Sequence, residues 1–149
     1  AVLRWPTGSG KTLAYALPLL ARLDTAECGR GLQALVLCPT RELVLQTLHT
    51  LQKLVDRGKP NRKGHSIKVQ ALMGQRTRRL EAELASKPPD IAVGTPHTVS
   101  SLLAANLLPL SQHPRKRTVV LDEVGALCEP HRWGEVRRVL SAGIREGKP

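Results

Sequence analysis

The chain has 149 residues, of which 41% are hydrophobic and 23% charged, so it can fold around a core of its own and is not a disordered protein. No apolar run approaches the ~20 residues that cross a bilayer, which argues against a membrane-spanning protein. A net charge of +11 favours a polyanionic partner, although on charge alone a basic protein without such a partner is an equal alternative. Only 2% of the residues are aromatic, so a nucleic acid would be bound through its backbone and not by stacked bases.

Four short apolar segments, each running into polar residues, predict the strands of one sheet: residues 32–37, 67–72, 91–93 and 119–121. Residues 1–3 are a candidate for the tail of an earlier strand. Such strands, when helices separate them, are typical of a parallel sheet with both faces covered. The expected fold is therefore α/β, a three-layer α/β/α sandwich.

The segments between the strands carry apolar residues at helical spacing, which predicts five amphipathic helices. Pro18 falls inside the first helix and should kink it. The predicted core positions are Leu13, Ala16, Leu17 and Leu20; Val44, Leu48, Leu51 and Val55; Leu80 and Leu84; Leu102 and Leu103; and Trp133, Val136, Leu140 and Ile144.

The three cysteines, Cys28, Cys38 and Cys128, are odd in number and far apart, so they match neither a zinc site nor a disulfide framework. Cys38 lies in an apolar segment and is expected in the core. The expected location is a reducing compartment inside the cell, with cytosol, nucleus and organelle all left open. The chain opens four residues before its first motif and shows no signal-peptide pattern, which indicates that an N-terminal part is missing.

A glycine-rich motif lies between the candidate strand tail and the first helix. Its glycines allow successive backbone N–H groups to surround an anion, and the start of the helix adds a positive dipole end. Lys11 is placed to reach the β- and γ-phosphates of a nucleotide, and the Thr12 hydroxyl to bind Mg²⁺. The alternative is a glycine turn with a helix cap, and Trp5 stands where the general pattern has a small residue. The motif consists of Thr7, Gly8, Ser9, Gly10, Lys11 and Thr12.

Two carboxylates, Asp122 and Glu123, directly follow the last predicted strand. At the carboxyl edge of a parallel sheet they would lie beside the phosphate loop. There Asp122 would hold Mg²⁺, directly or through water, and Glu123 would orient the water that attacks a phosphate. Taken alone, the pair is more often a solvated loop start; together with the phosphate loop it favours nucleotide hydrolysis.

The order of these motifs resembles the first RecA-like domain of a DEAD-box RNA helicase, from Trp5 to about Leu127. Besides the glycine-rich loop and the carboxylate pair, the resemblance rests on residues 39–43 (Pro-Thr-Arg-Glu-Leu) and residues 94–96 (Gly-Thr-Pro). Each of these segments lies between a predicted strand and a predicted helix.

The resemblance implies a RecA-like P-loop NTPase domain that uses ATP and Mg²⁺. It places Lys11, Asp122 and Glu123 in the catalytic site. It also implies that RNA is bound through its sugar-phosphate backbone, without regard to sequence, and that a C-terminal RecA-like domain completes the enzyme. The implied RNA-binding residues are Thr40, Arg41, Gly74 and Thr95.

Several positions depart from the family pattern. Gly125 stands where relatives have the last aspartate of Asp-Glu-Ala-Asp, which in them helps to couple hydrolysis to the second domain. Gln75 replaces a second glycine, and residues 97–98 (His-Thr) replace Gly-Arg, which removes an arginine that faces RNA. The adenine-reading Q motif and the C-terminal domain with its arginine fingers would lie outside the 149 residues.

Three functions stay open on this basis. The first is the ATP-binding core of an ATP-dependent RNA helicase, inactive as an isolated fragment. The second is a divergent helicase-like module that binds RNA with little or no ATP hydrolysis, which Gly125 and the altered RNA motifs favour. The third is another P-loop NTPase, against which the Pro-Thr-Arg-Glu-Leu segment argues.

Overall fold

The computed structural model describes residues 10–57, 66–75, 77–113 and 117–144. The predicted strand tail at residues 1–3, Trp5, and the loop residues Thr7, Gly8 and Ser9 lie outside these ranges. The strands are β1 (Ala34–Leu37), β2 (Val69–Leu72), β3 (Ile91–Gly94) and β4 (Thr118–Leu121). The helices are α1 (Lys11–Arg22), α2 (Arg41–Arg57), α3 (Arg78–Ser86), α4 (Pro96–Ala104), α5 (Val124–Leu127) and α6 (Pro130–Ile144), with a 3₁₀ turn at Thr25–Glu27.

The four strands form one parallel sheet in the order β2-β3-β1-β4. In the centre, Leu35 of β1 lies opposite Ala92 of β3 and Val119 of β4. β1 and β3 are buried at every position, which explains why their sequences are almost continuously apolar. Because the strands are parallel, all four carboxyl ends meet at one edge of the sheet.

Helices cover both faces of the sheet, which confirms the three-layer arrangement. On one face, α1 and α2 bury Ala16, Leu19, Val44 and Leu51 against alternate residues of the strands. On the other face, α3 to α6 pack on the residues in between, among them Leu37 and Leu72. Each fully buried leucine contributes roughly 1.5–3 kcal/mol to the free energy of folding. Both helix layers therefore stabilise the sheet whose carboxyl edge carries the polar residues.

The predicted core face of α1 is confirmed at Ala16 and Leu20 and wrong at the other two positions. Leu13 and Leu17 are 46% and 58% exposed, whereas Ala16 and Leu19 are buried. The segment is apolar on most sides, so the predicted stripe fits helical spacing no better than the stripe that includes Tyr15 and Leu19. The packing selects the second stripe, which also brings the Tyr15 hydroxyl to Asp122, the residue directly after β4. The helix itself continues through Pro18.

The prediction for α6 also needs one correction. Trp133 is 39% exposed, while Val136 and Val139 are buried. Helix α6 packs mainly on α4 and α5, and the residues it buries are confined to the stripe of Val136 and Val139. The indole lies beside that stripe.

Asp90, just before β3, is buried and joins three segments at the edge of the sheet opposite the carboxyl ends. Its Oδ1 accepts a hydrogen bond from the Gly29 backbone N–H at 2.7 Å, and its Oδ2 accepts one from the Lys68 N–H at 2.8 Å. Its backbone carbonyl accepts bonds from the N–H groups of Gln33 and Ala34. This carboxylate organises the fold and lies far from the residues with predicted chemistry.

Cys28 and Cys38 are buried and Cys128 is exposed, and all three are free thiols. The expectation that Cys38 belongs to the core is confirmed. Within the described ranges, no helix is both long and apolar enough to span a membrane.

Candidate functional site

β4 delivers the two predicted carboxylates to the carboxyl edge of the sheet. The Asp122 N–H donates to the carbonyl oxygen of Leu37 at 2.9 Å, which extends the pairing of β4 with β1 by one residue. Glu123 then takes a left-handed conformation (φ 52°, ψ 57°) and begins the short helix α5, an element that the sequence patterns did not predict. A left-handed residue other than glycine costs of order 1–3 kcal/mol and persists only where its surroundings fix it.

Lys11, the first residue of α1, meets this corner. Its Nζ lies 2.7 Å from Glu123 Oε1, although 112 residues separate the two along the chain. Gly10 precedes it as the N-cap residue of α1. Its φ of 82° is a left-handed conformation that favours glycine. The first N–H groups of a helix have no partner inside the helix, so backbone donors and the Lys11 ammonium occur at the same end of α1. The arrangement suits a phosphate.

Asp122 is held by two hydrogen bonds. The Tyr15 hydroxyl donates to its Oδ2 at 2.9 Å, and the Glu123 N–H donates to its Oδ1 at 3.0 Å. Burial, and after it the nearby Asp122 charge, raises the pKa of Tyr15 well above its usual range, so the phenol stays a neutral donor. Tyr15 was not among the predicted site residues. Its position one turn after Lys11 was the only signal in the sequence that could have identified it.

The residues at this corner fit a magnesium nucleotide. Thr12 supplies a hydroxyl in the first turn of α1 and Asp122 a carboxylate, and oxygen ligands are those that Mg²⁺ prefers. Among the described residues, no group of three or more His, Cys, Asp or Glu side chains could hold a metal ion. Mg²⁺ that accompanies a nucleotide needs no such cage, since it is bound through one or two carboxylates, phosphates and water.

A second site, a cleft of about 520 Å³, lies along the same edge of the sheet. It brings together three residues implied as RNA contacts that are far apart in the sequence, namely Arg41 after β1, Gly74 after β2 and Thr95 after β3. Thr40 precedes α2 beside the cleft and is not among its lining residues. Its hydroxyl oxygen accepts a hydrogen bond from the Leu43 N–H at 3.3 Å and so caps the helix. The remaining lining residues are Pro39, Gln75, His97, Thr98 and Ser101.

Backbone packing fixes the position of Gly94, directly before the lining residue Thr95. A Cβ added there would lie 2.7 Å from the Leu72 carbonyl oxygen and 2.6 Å from Val99 Cγ2, so no other residue fits without displacement of the backbone. The Thr95 N–H donates to that Leu72 oxygen at 3.2 Å, and Pro96 follows at the first position of α4. The Gly-Thr-Pro segment therefore has a structural reason as well as an implied functional one.

Thr98 turns inward where relatives have an arginine. Its hydroxyl donates to the Gly74 carbonyl oxygen at 3.0 Å and accepts from the Thr95 hydroxyl at 3.2 Å. Because the residue is buried and its hydroxyl is engaged, it offers the cleft no replacement for the missing cation. The guanidinium of Arg41 is the cation that the described lining residues provide.

Comparison with known proteins identifies the family. The family model described as DEAD/DEAH box helicase matches residues 1–144. A probable ATP-dependent RNA helicase of Bacillus subtilis, YfmL, is 33% identical over 141 residues, which cover 95% of this chain and 34% of the relative. The chain thus spans about a third of the length of this relative and a smaller share of longer ones, down to 13%.

Solved structures agree with this. The yeast DEAD-box splicing factor Prp28 superposes with a TM-score of 0.75 at 28% identity, over 93% of this chain and 31% of the other. A variant of Dbp5 from S. cerevisiae, bound to RNA and ADP BeF3, gives a TM-score of 0.68 at 26% identity, over 93% and 32% of the two chains.

Proposed function

The chain belongs to the DEAD/DEAH box helicase family, and from this membership we propose that it is the nucleotide- and RNA-binding core of an ATP-dependent RNA helicase. One observation carries the proposal. The carboxyl ends of all four strands meet at a single edge, where the Lys11, Asp122 and Glu123 corner adjoins β1 and β4, and the cleft with Arg41 adjoins β1, β2 and β3. A phosphate site and a backbone-binding site thus share strand β1.

The chemistry follows from the side chains at the corner. Lys11 would pair with the β- and γ-phosphates of a bound nucleotide, and Asp122, oriented by Tyr15, would hold Mg²⁺ together with Thr12. Mg²⁺, when bound, neutralises charge on the phosphates. Glu123, once Lys11 has turned to a phosphate, is free to orient a water molecule and to accept its proton.

Two binding measurements on this chain test the proposal. Calorimetry with Mg·ADP and fluorescence anisotropy with single-stranded RNA should both show binding. Lys11→Ala should abolish nucleotide binding and leave RNA binding intact, while Arg41→Ala should weaken RNA binding and leave nucleotide binding intact. Loss of both activities in both folded variants would contradict two separate sites on one edge.

We further propose that ATP hydrolysis and RNA remodelling need a C-terminal RecA-like domain. Support comes from the relatives, of which the matched region covers 34% or less. Arginine fingers contribute about 10³–10⁵ to the rate in related NTPases, and such arginines would come from the second domain. The chain alone should therefore hydrolyse ATP negligibly, and a fusion to the C-terminal domain of a relative should restore RNA-stimulated hydrolysis.

A divergent RNA-binding module is the second candidate function. It is favoured by Gly125, which replaces the last family carboxylate at the exposed start of α5, and by the inward Thr98. Gly125→Asp restores the carboxylate, and its effect in the fusion to a C-terminal domain distinguishes the helicase core from the RNA-binding module. A large gain in RNA-stimulated hydrolysis from an inactive parent would identify the module, and a parent already active would identify the helicase core.

We also propose a reducing compartment, because all three thiols are free and Cys128 is exposed. Alkylation of Cys128 in cell extract prepared without reductant tests this, and an unreactive, oxidised Cys128 would contradict it.

A further inference from the structure

The first turn of α4 carries a histidine whose ring is held by a carboxylate. His97 Nδ1 lies 2.7 Å from Oε1 of Glu135, which belongs to α6. The His97 side chain is 81% exposed and that of Glu135 only 26%. Since α4 and α6 pack directly on each other, the pair joins two fixed elements. Within the described part of the chain, His97 Nε2 has no hydrogen-bond partner.

This ring lines the cleft proposed for RNA. His97 is one of the lining residues, together with Arg41, Gly74 and Thr95. The Thr98 hydroxyl is engaged with Gly74, and the other polar side chains that line the cleft are those of Arg41, Gln75, Thr95, His97 and Ser101. His97 is therefore placed to contact the sugar-phosphate backbone that Arg41 attracts.

The partner of Nδ1 determines what Nε2 can do. An ionised carboxylate only accepts hydrogen bonds, so a contact of 2.7 Å assigns the proton of the neutral imidazole to Nδ1. Nε2 then carries a lone pair and acts as an acceptor. A diester phosphate has no proton to donate, whereas a ribose 2′-hydroxyl does.

We propose that His97 Nε2 accepts a hydrogen bond from a ribose 2′-hydroxyl and thereby makes the cleft prefer RNA to DNA, with Glu135 as the positioning residue. The inference rests on the proposed RNA-binding function of the same cleft. A deoxyribose backbone keeps the phosphate contact with Arg41 and loses the contact with His97. The proposed contact thus uses His97, which stands where the Thr-Pro-Gly-Arg pattern of the family has a glycine.

The test compares three oligonucleotides of one sequence at pH 8. The probes are a decauridylate, its 2′-deoxy form and its 2′-O-methyl form, which keeps the oxygen but cannot donate. Fluorescence anisotropy should show the RNA bound about five-fold more tightly than either analogue, the effect of one net hydrogen bond. His97→Ala should remove this difference by weakening only the RNA complex. His131→Ala is the matched control, because His131 is also exposed and faces a glutamate, Glu129.

The Glu135→Ala variant distinguishes a role of Glu135 in positioning His97 from a purely structural role. The variant keeps His97 but no longer fixes its tautomer, so the RNA preference should fall while the affinity for the deoxy form stays unchanged. Imidazole ¹⁵N resonances should show the Nδ1–H form in the wild-type chain and a mixture of tautomers in the variant. A purely structural role for Glu135 would leave these resonances unchanged.

Three outcomes would overturn the inference. An RNA preference that survives His97→Ala shows that another residue reads the sugar. Equal weakening of the RNA and deoxy complexes shows that His97 contacts phosphate. Tight binding of the 2′-O-methyl form shows that no hydroxyl donor is needed. If the wild-type chain binds no RNA at all, the proposed function fails first, and this inference fails with it.

Discussion

The ammonium of Lys11 and the carboxylate of Glu123 form an ion pair at 2.7 Å across the carboxyl edge of the sheet. The family assigns these groups different partners, a phosphate for the lysine and a water molecule for the glutamate. A nucleotide must therefore compete with Glu123 for Lys11, and its binding releases the carboxylate that orients water. The side chains are 20% and 33% exposed, so solvent limits the pair to about 1 kcal/mol or less.

Glu123→Gln should raise the affinity for Mg·ADP about two- to five-fold, because Lys11 loses its charged competitor. The same change should abolish RNA-stimulated hydrolysis in the fusion that carries a C-terminal domain. Calorimetry measures the first effect. Glu83→Gln, which breaks the exposed pair with Lys68 at 3.3 Å, is the control and should change neither property. A lower affinity in Glu123→Gln would show that the pair supports the nucleotide site instead of competing with it.

Tyr15→Phe should weaken nucleotide binding only when Mg²⁺ is present. The change removes the 2.9 Å hydrogen bond to Asp122 Oδ2 and keeps the ring in the core. We expect a loss of about five-fold in affinity for Mg·ADP, typical of a hydrogen bond to a charged group that is partly replaced by water. Affinity for ADP without Mg²⁺ serves as the internal control. An equal loss with and without the metal would leave Tyr15 with a packing role alone.

Arg41→Ala should weaken RNA binding to a similar degree for all sequences, because the contact is to phosphate. The slope of log K against log salt should fall by about 0.7, the value for one phosphate contact on a single strand. Arg22→Ala removes an equal charge at the far end of α1 and should leave the slope unchanged. If Arg41→Ala changes neither affinity nor slope, Arg41 is only a solvated helix residue.

Asp90→Ala should reduce the free energy of unfolding by about 2–4 kcal/mol. The buried N–H groups of Gly29 and Lys68 lose their acceptor, and unpaired buried donors are costly. Urea denaturation measures the loss, and Asp56→Ala on the exposed side of α2 is the control. Nucleotide affinity below the transition should be unchanged, since Asp90 lies at the opposite edge of the sheet. A change below 1 kcal/mol would contradict the structural role.

Stability should fall as pH rises above about 9. Burial raises the pKa of the Cys38 thiol from 9.0 to about 12, and burial together with Asp90 raises that of Cys28 to about 11. The folded chain thus keeps protons that the unfolded chain releases, so the stabilisation is complete below pH 9 and is lost through pH 11 to 12. For Cys38 the loss reaches at most about 1.4 kcal/mol per pH unit. Urea midpoints at pH 8, 9 and 10 check this, and Cys38→Ala should flatten the dependence. A flat wild-type profile would contradict it.

Much of the fold could be predicted because its signals are local. The apolar segments at β1 and β3 correspond to buried central strands, and the prediction holds to within a few residues. Gly10 and Lys11 were identifiable because a left-handed turn needs glycine and a phosphate needs a cation. The choice of buried face on α1 could not be predicted, because two apolar stripes satisfied the same spacing.

The site divides in the same way. The sequence alone identified the candidate residues, which are Lys11, Asp122 and Glu123 for the nucleotide and Arg41 and Thr95 for RNA. Their common edge follows from the parallel strands. The tertiary structure alone decided which side chains serve them. Examples are Tyr15 on Asp122, Glu135 on His97, and the Thr98 hydroxyl on the Gly74 carbonyl. These contacts join residues 24 to 107 positions apart, so they depend on how helices pack on the sheet, and no local pattern of residue types records that packing.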